Sequence, residues 1–221
     1  MLIERNSFLY SYPITRDFGF APNPFHGYCT LATCKPNIRK SAEVGDWVIG
    51  VGGATLPSVR RKCIFLMKVT EKLDFEQYWN DKRFSLKKPI RNGSHLQMLG
   101  DNIYHKDMTG DWVQEDSHHS NPDGTMNVIN RDIDTGRCDK VLVSECFIYF
   151  GAAAASIDLD SIRHFRIRDF KKTSLEVSEE ARNMIESLVS QNISNWNQIV
   201  EDPCQFLYSH LRADQETGKI S

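Results

Sequence analysis

The order of segments along this 221-residue chain predicts an α+β domain on a small, curved, mostly antiparallel sheet, with a helical C-terminal segment. Three observations carry that expectation. Strand-like runs fill the first part and 139–151, helical periodicity is concentrated late, and no long crossover helix separates the first strands. The last point excludes βαβ winding.

The first strand is "SFLYSYPI" (7–14), where Phe8, Tyr10 and Tyr12 fall at period two and Pro13 confines the run to an edge or an end. A Gly- and Pro-rich segment, 17–37, follows; it is too long for a hairpin loop, and long structured loops often carry function. Residues 38–53 read as a short turn and a strand, "WVIGV", with Gly50, Gly52 and Gly53 predicting a bulge or close backbone approach. The clearest strand is "KCIFLMKVTE" (62–71), and "DFEQYWND" (74–81) adds one or two helical turns. Residues 82–137 are polar and weakly periodic, an insertion in a domain spanning 1–170. "DKVLVSECFIYFG" (139–151) returns to strand in two pieces, and "HFRIRDF" (164–170) alternates like a last one. The extension 171–221 contains a helix over 178–193 capped by Ser178, a second over 201–212 with Asp202 as cap and Pro203 at its first position, and a frayed tail, "ADQETGKIS".

Composition narrows the function classes. With 40% hydrophobic and 10% aromatic residues the chain can bury a core, so disorder is excluded. No apolar run approaches the ~18 residues of a membrane span. The start "MLIERNSFLYSYPITRDF" carries Glu4, Arg5 and Arg16 and does not read as a signal peptide, so a cytoplasmic protein with no membrane partner is expected. Six cysteines, none at CxxC spacing, fit buried thiols or ligands better than a disulfide framework. Residues 35–91 hold thirteen Lys/Arg against six Asp/Glu, whereas 92–160 hold four against twelve. The basic block favours approach to a polyanion; the alternative is two solvated surfaces of opposite sign. No phosphate-binding loop, dinucleotide fingerprint, HExxH, zinc-deaminase or GxSxG pattern is present.

The densest stretch is "NPFHGYCTLATCKP" (23–36). His26, Cys29 and Cys34 offer a zinc set, with His118 or His119 as fourth ligand, although cysteines so spaced also pack as buried thiols. Phe25, Tyr28 and Trp47 are candidate walls of a stacking pocket, with core packing as the alternative for Trp47. "GDNIYHKD" supplies Asp101, Asn102, Tyr104 and His105, a set able to read a base edge and stack on its face, or to make an Asx turn. In "DSHHS", Ser117 precedes His118 and His119, which in an extended segment point to opposite sides. Either histidine fits a general acid-base or phosphate contact.

The wording of "RDFGFAPNPFHGYCTLATCKPNIRKSAEVGDWVIGVGG" (16–53), "GDNIYH" (100–105), "DSHHS" (116–120) and "VLVSECFIYFG" (141–151) resembles the bacterial and phage family called nucleotide modification associated domain 2. The resemblance implies a setting in DNA base modification and phage defence and brings no assigned catalytic residue. A weaker likeness, through the "GDWV" strand, the glycines after it, "CIFLMKVT" and "FEQYW", is to PUA-like domains such as EVE, ASCH and YTH. It implies a small open barrel holding a modified base.

The expectation is therefore a protein that holds a nucleotide or a flipped, modified base where the loops 23–36 and 100–120 meet. Phe25, Tyr28 and Trp47 would wall it, Asp101, Asn102 and Tyr104 would contact edges, and Lys35, Arg39, His118 and His119 would serve the backbone or phosphate, with His26, His105 and Ser117 as further ligand-binding candidates. The alternatives are an enzyme using His118 or His119 with Asp101, or Cys34 as nucleophile, and a zinc-stabilised structural module. The expected partner is a nucleotide or nucleic acid, and no cofactor is required unless zinc binds.

Overall fold

Alternation and β-branching give most strands their positions. In the computed structural model, which describes residues 3–165 and 167–220, the chain begins with β1 (Phe8–Ile14), β2 (Cys29–Leu31), α1 (Pro36–Ser41), β3 (Trp47–Gly52) and β4 (Cys63–Lys68). It continues through β5 (Glu71–Asp74), α2 (Phe75–Asn80), α3 (His95–Met98), β6 (Tyr104–Lys106), β7 (Trp112–Gln114) and α4 (Val128–Thr135). The last elements are β8 (Lys140–Ser144), β9 (Cys146–Tyr149), β10 (Lys171–Ser174), α5 (Glu179–Gln191) and β11 (Gln198–Ile199).

These residues cluster in two units that interleave along the chain. The first is Met1–Asp17, Ala42–Glu71 and Ser144–Cys204; the second is Phe18–Ser41, Lys72–Val143 and Gln205–Ser221. The segments 1–170 and 171–221 each contribute to both units.

Unit 1 is built on a six-stranded sheet in the order β10-β1-β3-β4-β9-β11. The pairs β1–β3 and β9–β11 are parallel and the others antiparallel. The α+β class and the mostly antiparallel pairing follow the sequence. No sheet closes into a barrel among the described residues; this one ends on β10 and β11. Pro13 explains one detail. The pairing of β10 with β1 stops at Ser11, so the prolyl nitrogen falls where β1 needs no donor on that side. Helix α5, capped by the Ser178 hydroxyl, lays Ala181, Met184, Ile185, Leu188 and Val189 over Leu9, Trp47, Ile49 and Leu66. The β3–β4 register shifts between Gly50 and Val51, the bulge that the glycines predicted. A Cβ on Gly50 would lie 2.3 Å from both Ile14 and Phe65. Gly50→Ala is expected to cost about 1–3 kcal/mol of stability through overpacking, measured by chemical denaturation; an unchanged midpoint would contradict the packing.

Unit 2 contains the three-stranded sheet β2-β8-β5, the hairpin β6-β7 and helices α1 to α4. The polar stretch 82–137 lies wholly within it and is structured throughout much of its length, by a 3-10 turn at Lys82–Lys87, α3, the hairpin and α4. Asp74 closes a capping box with Gln77 at the start of α2, as its sequence allows.

Four expectations fail locally. The turn expected after 38 is preceded by a helix, α1, whose first residue is Pro36. The expected helix 201–212 reduces to a 3-10 turn, Phe206–Tyr208, with Leu207 exposed, so its apolar spacing serves no helical face. In 164–170, Arg166 lies outside the described residues and the others form no strand; pairing begins at Lys171. The tail is also not frayed over its described length, because Ala213 bridges Ile220 and the Gln215 N–H donates to Asn130 Oδ1 at 2.8 Å.

Candidate active site

Cys34 sits on the sharp connection between β2 and α1, with φ of +56°, followed by Lys35 at +40°. Left-handed backbone at two consecutive non-glycine residues persists only where the surroundings enforce it. Arg39 does so here. Expected as a phosphate contact, it is fully buried and donates from Nε to the Cys34 carbonyl (2.8 Å), and from its terminal nitrogens to the Lys140 (2.8 Å) and Asp134 (2.5 Å) carbonyls. It ties the cysteine turn to the C-terminal end of α4.

Helix α4 is inverted relative to its hydrophobicity. Val128 and Ile129 are exposed, whereas Asn130, Asp134 and Thr135 are buried. Asn130 donates from Nδ2 to the carbonyls of His119 and Ala213, both at 2.7 Å. Four residues later on the same face, Asp134 accepts from the Cys34 N–H (2.6 Å) and the Tyr104 hydroxyl (2.9 Å), and faces His119 Nδ1 at 2.8 Å. The other ring nitrogen, Nε2, faces Cys34 Sγ at 3.7 Å. A cysteine, a histidine and a carboxylate thus stand in line, the imidazole between the other two.

The electrostatics support that order. Burial alone would lower the His119 value, yet the Asp134 carboxylate and the Cys34 sulfur outweigh it and raise it to about 10. Burial likewise opposes the charge on Asp134, but His119 and then Arg39 hold its carboxyl below the ordinary value. His119 is therefore an imidazolium at neutral pH, oriented at Nδ1 and presenting Nε2–H to sulfur.

The loops expected to meet do meet within unit 2. The Asn23 amide donates to the Leu99 carbonyl at 2.8 Å, Thr30 donates to Asp101 at 2.6 Å, and Cys34 reaches His119. Their residues separate into distinct settings, however. Asp101 does not partner a histidine: it is buried, accepts from Thr30 and from the Tyr78 hydroxyl (2.7 Å), and has its value raised by burial despite the nearby charge of Lys87. Asn102 is buried and donates to the Tyr78 and Phe84 carbonyls, so it is not free to read a base edge from Nδ2. Tyr104 supports Asp134 and accepts from Gln114 Nε2 at 2.9 Å. His105 stacks on Trp79 at 4.0 Å and bonds Glu115 at 2.9 Å.

The adjacent histidines lie in a turn, not an extended segment, and their rings stack at 27°. His118 is buried between Phe18 and Phe20, with Nδ1 donating to the Leu211 carbonyl at 2.6 Å, so its role is to hold the tail segment. Ser117 is buried and accepts from the His119 N–H at 3.3 Å, shaping that turn. Phe25 is buried against Phe206 at 5.7 Å, Tyr28 packs on Phe84 at 5.1 Å, and His26 takes a φ of +62°. Trp47 belongs to unit 1, fully buried in its core. Lys35 anchors α1 through its carbonyl, which accepts from the Ile38 and Arg39 N–H groups.

Among the described residues, the side chains whose ligand atoms fall within 4.8 Å of one another are Cys34, His119 and Asp134. His26 and Cys29 are not part of that group. Cys29 is fully buried in β2, where desolvation pushes its thiol up to about 12. Asp134 and Gln114, which holds the Tyr104 hydroxyl, are site residues that the sequence reading does not find. The usable signal was Asn130 and Asp134 at helical spacing i, i+4 beside exposed aliphatics.

A thiol, an imidazole and a carboxylate in this arrangement can serve thiol-nucleophile chemistry or ligate a metal ion. Residues 6–210 match the family model of nucleotide modification associated domain 2, and the chain belongs to that family. The family places it in the context of nucleotide and DNA modification. No curated protein and no solved structure matches the chain. No helix among the described residues is long and apolar enough to cross a membrane.

Proposed function

We propose that this protein is a cysteine-dependent enzyme acting on a nucleotide or modified base in DNA modification or phage defence. The observation that carries the reading is the line Cys34 Sγ–His119–Asp134, a half-buried thiol on a buried histidine and carboxylate, with contacts of 3.7 and 2.8 Å. In the reaction Cys34, having first given its thiol proton to solvent, forms a bond through sulfur to an electrophilic carbon of the substrate. The leaving group departs with its electron pair and takes the Nε2 proton of His119. Water or an amine then attacks the same carbon, returns a proton to His119 and releases the sulfur. Asp134 keeps the ring oriented and charged, and Arg39 positions the sulfur through its carbonyl.

The competing reading uses the same three side chains as metal ligands, favoured by their mutual separation. Two measurements decide. Nucleosides from a host carrying the wild-type protein are expected to include a modified species that is absent with Cys34→Ser, as read by mass spectrometry. Identical profiles from the wild type and a folded variant would defeat the enzymatic reading. Stoichiometric zinc in purified protein, lost in Cys34→Ser, would replace it with the metal site.

A further inference from the structure

Unit 1 contains a cavity of about 280 Å³ where β1 and β3 end, lined by Pro13, Val51, Gly52, Leu159, His164 and Ile167 and bordered by Arg60 and Arg61. Its origin is a gap in the sheet. Partnering of β1 by β10 stops at Ser11, while β3 continues beside β1 as far as Gly52. The ring of Pro13 faces this gap without an N–H to satisfy. One wall is bare backbone for an internal reason: a Cβ on Gly52 would meet the Val59 carbonyl oxygen at 2.0 Å.

The chemistry of the lining has two parts. The interior is apolar, from Pro13, Val51, Leu159 and Ile167, and it holds one oriented polar group. His164 is almost fully buried, and its Nδ1 is bonded to the Ser11 hydroxyl at 2.9 Å. Its Nε2 has no partner among the described residues, and burial, Arg61 and Lys171 lower its value to about 4, so it is neutral. The mouth is cationic. Arg60 is exposed and its guanidinium has no partner among the described residues. Among the described residues Arg61 is held by Asp160 alone, with both side chains at least half exposed, a pairing weak enough for a phosphate to displace.

We propose that this cavity binds one nucleotide, with the base between the apolar walls and its edge on His164 Nε2, and the phosphate at Arg60 and Arg61. The volume lies at the lower limit of the ~300–1,000 Å³ typical of ligand sites, which suits one base with its sugar and excludes a dinucleotide. The flat ring fills apolar space that water occupies poorly, and the two guanidinium groups match a phosphate's geometry. The inference stands apart from the Cys34 chemistry, because it uses none of its residues.

Calorimetric titration of the full chain with 2′-deoxynucleoside 5′-monophosphates, the matching nucleosides, inorganic phosphate and short single-stranded oligonucleotides tests it. Saturable binding of at least one monophosphate or oligonucleotide is expected, with the nucleoside and phosphate alone each at least about tenfold weaker and affinity falling with salt. Tighter binding of the monophosphate assigns a free nucleotide, and tighter binding of the oligonucleotide assigns a base in a strand. Arg60→Glu should weaken binding by about tenfold or more, and Ala54→Trp, at an exposed position on the rim, should abolish it. The two rim variants should weaken binding by the same factor in the wild type and in a Cys34→Ser background, which separates this site from the fate of the enzymatic reading. Absence of binding by the wild type, equal affinity for inorganic phosphate, or wild-type affinity in both rim variants would overturn the proposal.

Discussion

Replacing Asp134 with alanine is expected to lower the free energy of unfolding by about 3–5 kcal/mol, the range for leaving a buried charge without its partner. The variant keeps a buried imidazole in His119 and strips the acceptor from the Cys34 N–H, the Tyr104 hydroxyl and His119 Nδ1 together. For a chain of this size that corresponds to a fall in melting temperature of roughly 6–20 °C. Chemical denaturation checks it, and a loss below about 1 kcal/mol would mean that the pair is not a buried ion pair. The pH dependence has a defined sign. His119 rises from 6.5 to about 10 on folding, so its contribution is complete below pH 6.5 and disappears as pH climbs through about 10. Asp134 is held low, so its contribution is present above 3.8 and is lost as pH falls through its folded value. The gap between wild type and Asp134→Asn should therefore shrink steadily from pH 6.5 to 10. A gap that widened over that window would contradict the assignment.

What the sequence disclosed follows from where packing obeys simple periods. β1, β3 and β4 bury their residues in alternation or as continuous apolar runs, and α5 has both a serine cap and an aliphatic stripe, so local pattern and tertiary demand agree. Cys34 and His119 were legible as chemistry-bearing residues, since thiols and paired histidines are few. Their carboxylate was not. Asp134 lies on a helix whose polar face turns inward, against the rule by which amphipathic helices are read. Arg39 misled for a related reason: a guanidinium in a basic block suggests phosphate, but its fork is consumed by three backbone carbonyls. The interleaving of the two units also hid from a linear reading, because the polar stretch 82–137 looked like an insertion between recognisable strands.

The buried Lys87 supplies a second large effect, of opposite pH signature. "NPFHGY" buries Asn23, Pro24 and Phe25, and its backbone is held by a fully buried ammonium group. Lys87 Nζ donates to the Asn23 carbonyl (3.0 Å), the Asn23 side-chain oxygen (2.7 Å) and the Tyr28 carbonyl (3.0 Å). Lys87→Met keeps the aliphatic stem and removes all three donors, leaving buried acceptors unpaired and Asp101 without its nearby cation. A loss of about 3–5 kcal/mol is expected at neutral pH. Burial lowers the lysine to about 8, although Asp101 and Cys29 oppose the shift. Between pH 8 and its ordinary value of 10.5 the unfolded chain consequently binds more protons than the folded one, and stability from this group rises with pH. The difference between wild type and Lys87→Met should grow across that interval, while the difference for Asp134→Asn declines toward pH 10. Denaturation curves for the two variants measured side by side therefore distinguish a lysine forced underground by the turn it ties from a histidine kept charged for its neighbour. Parallel curves would refute both assignments at once.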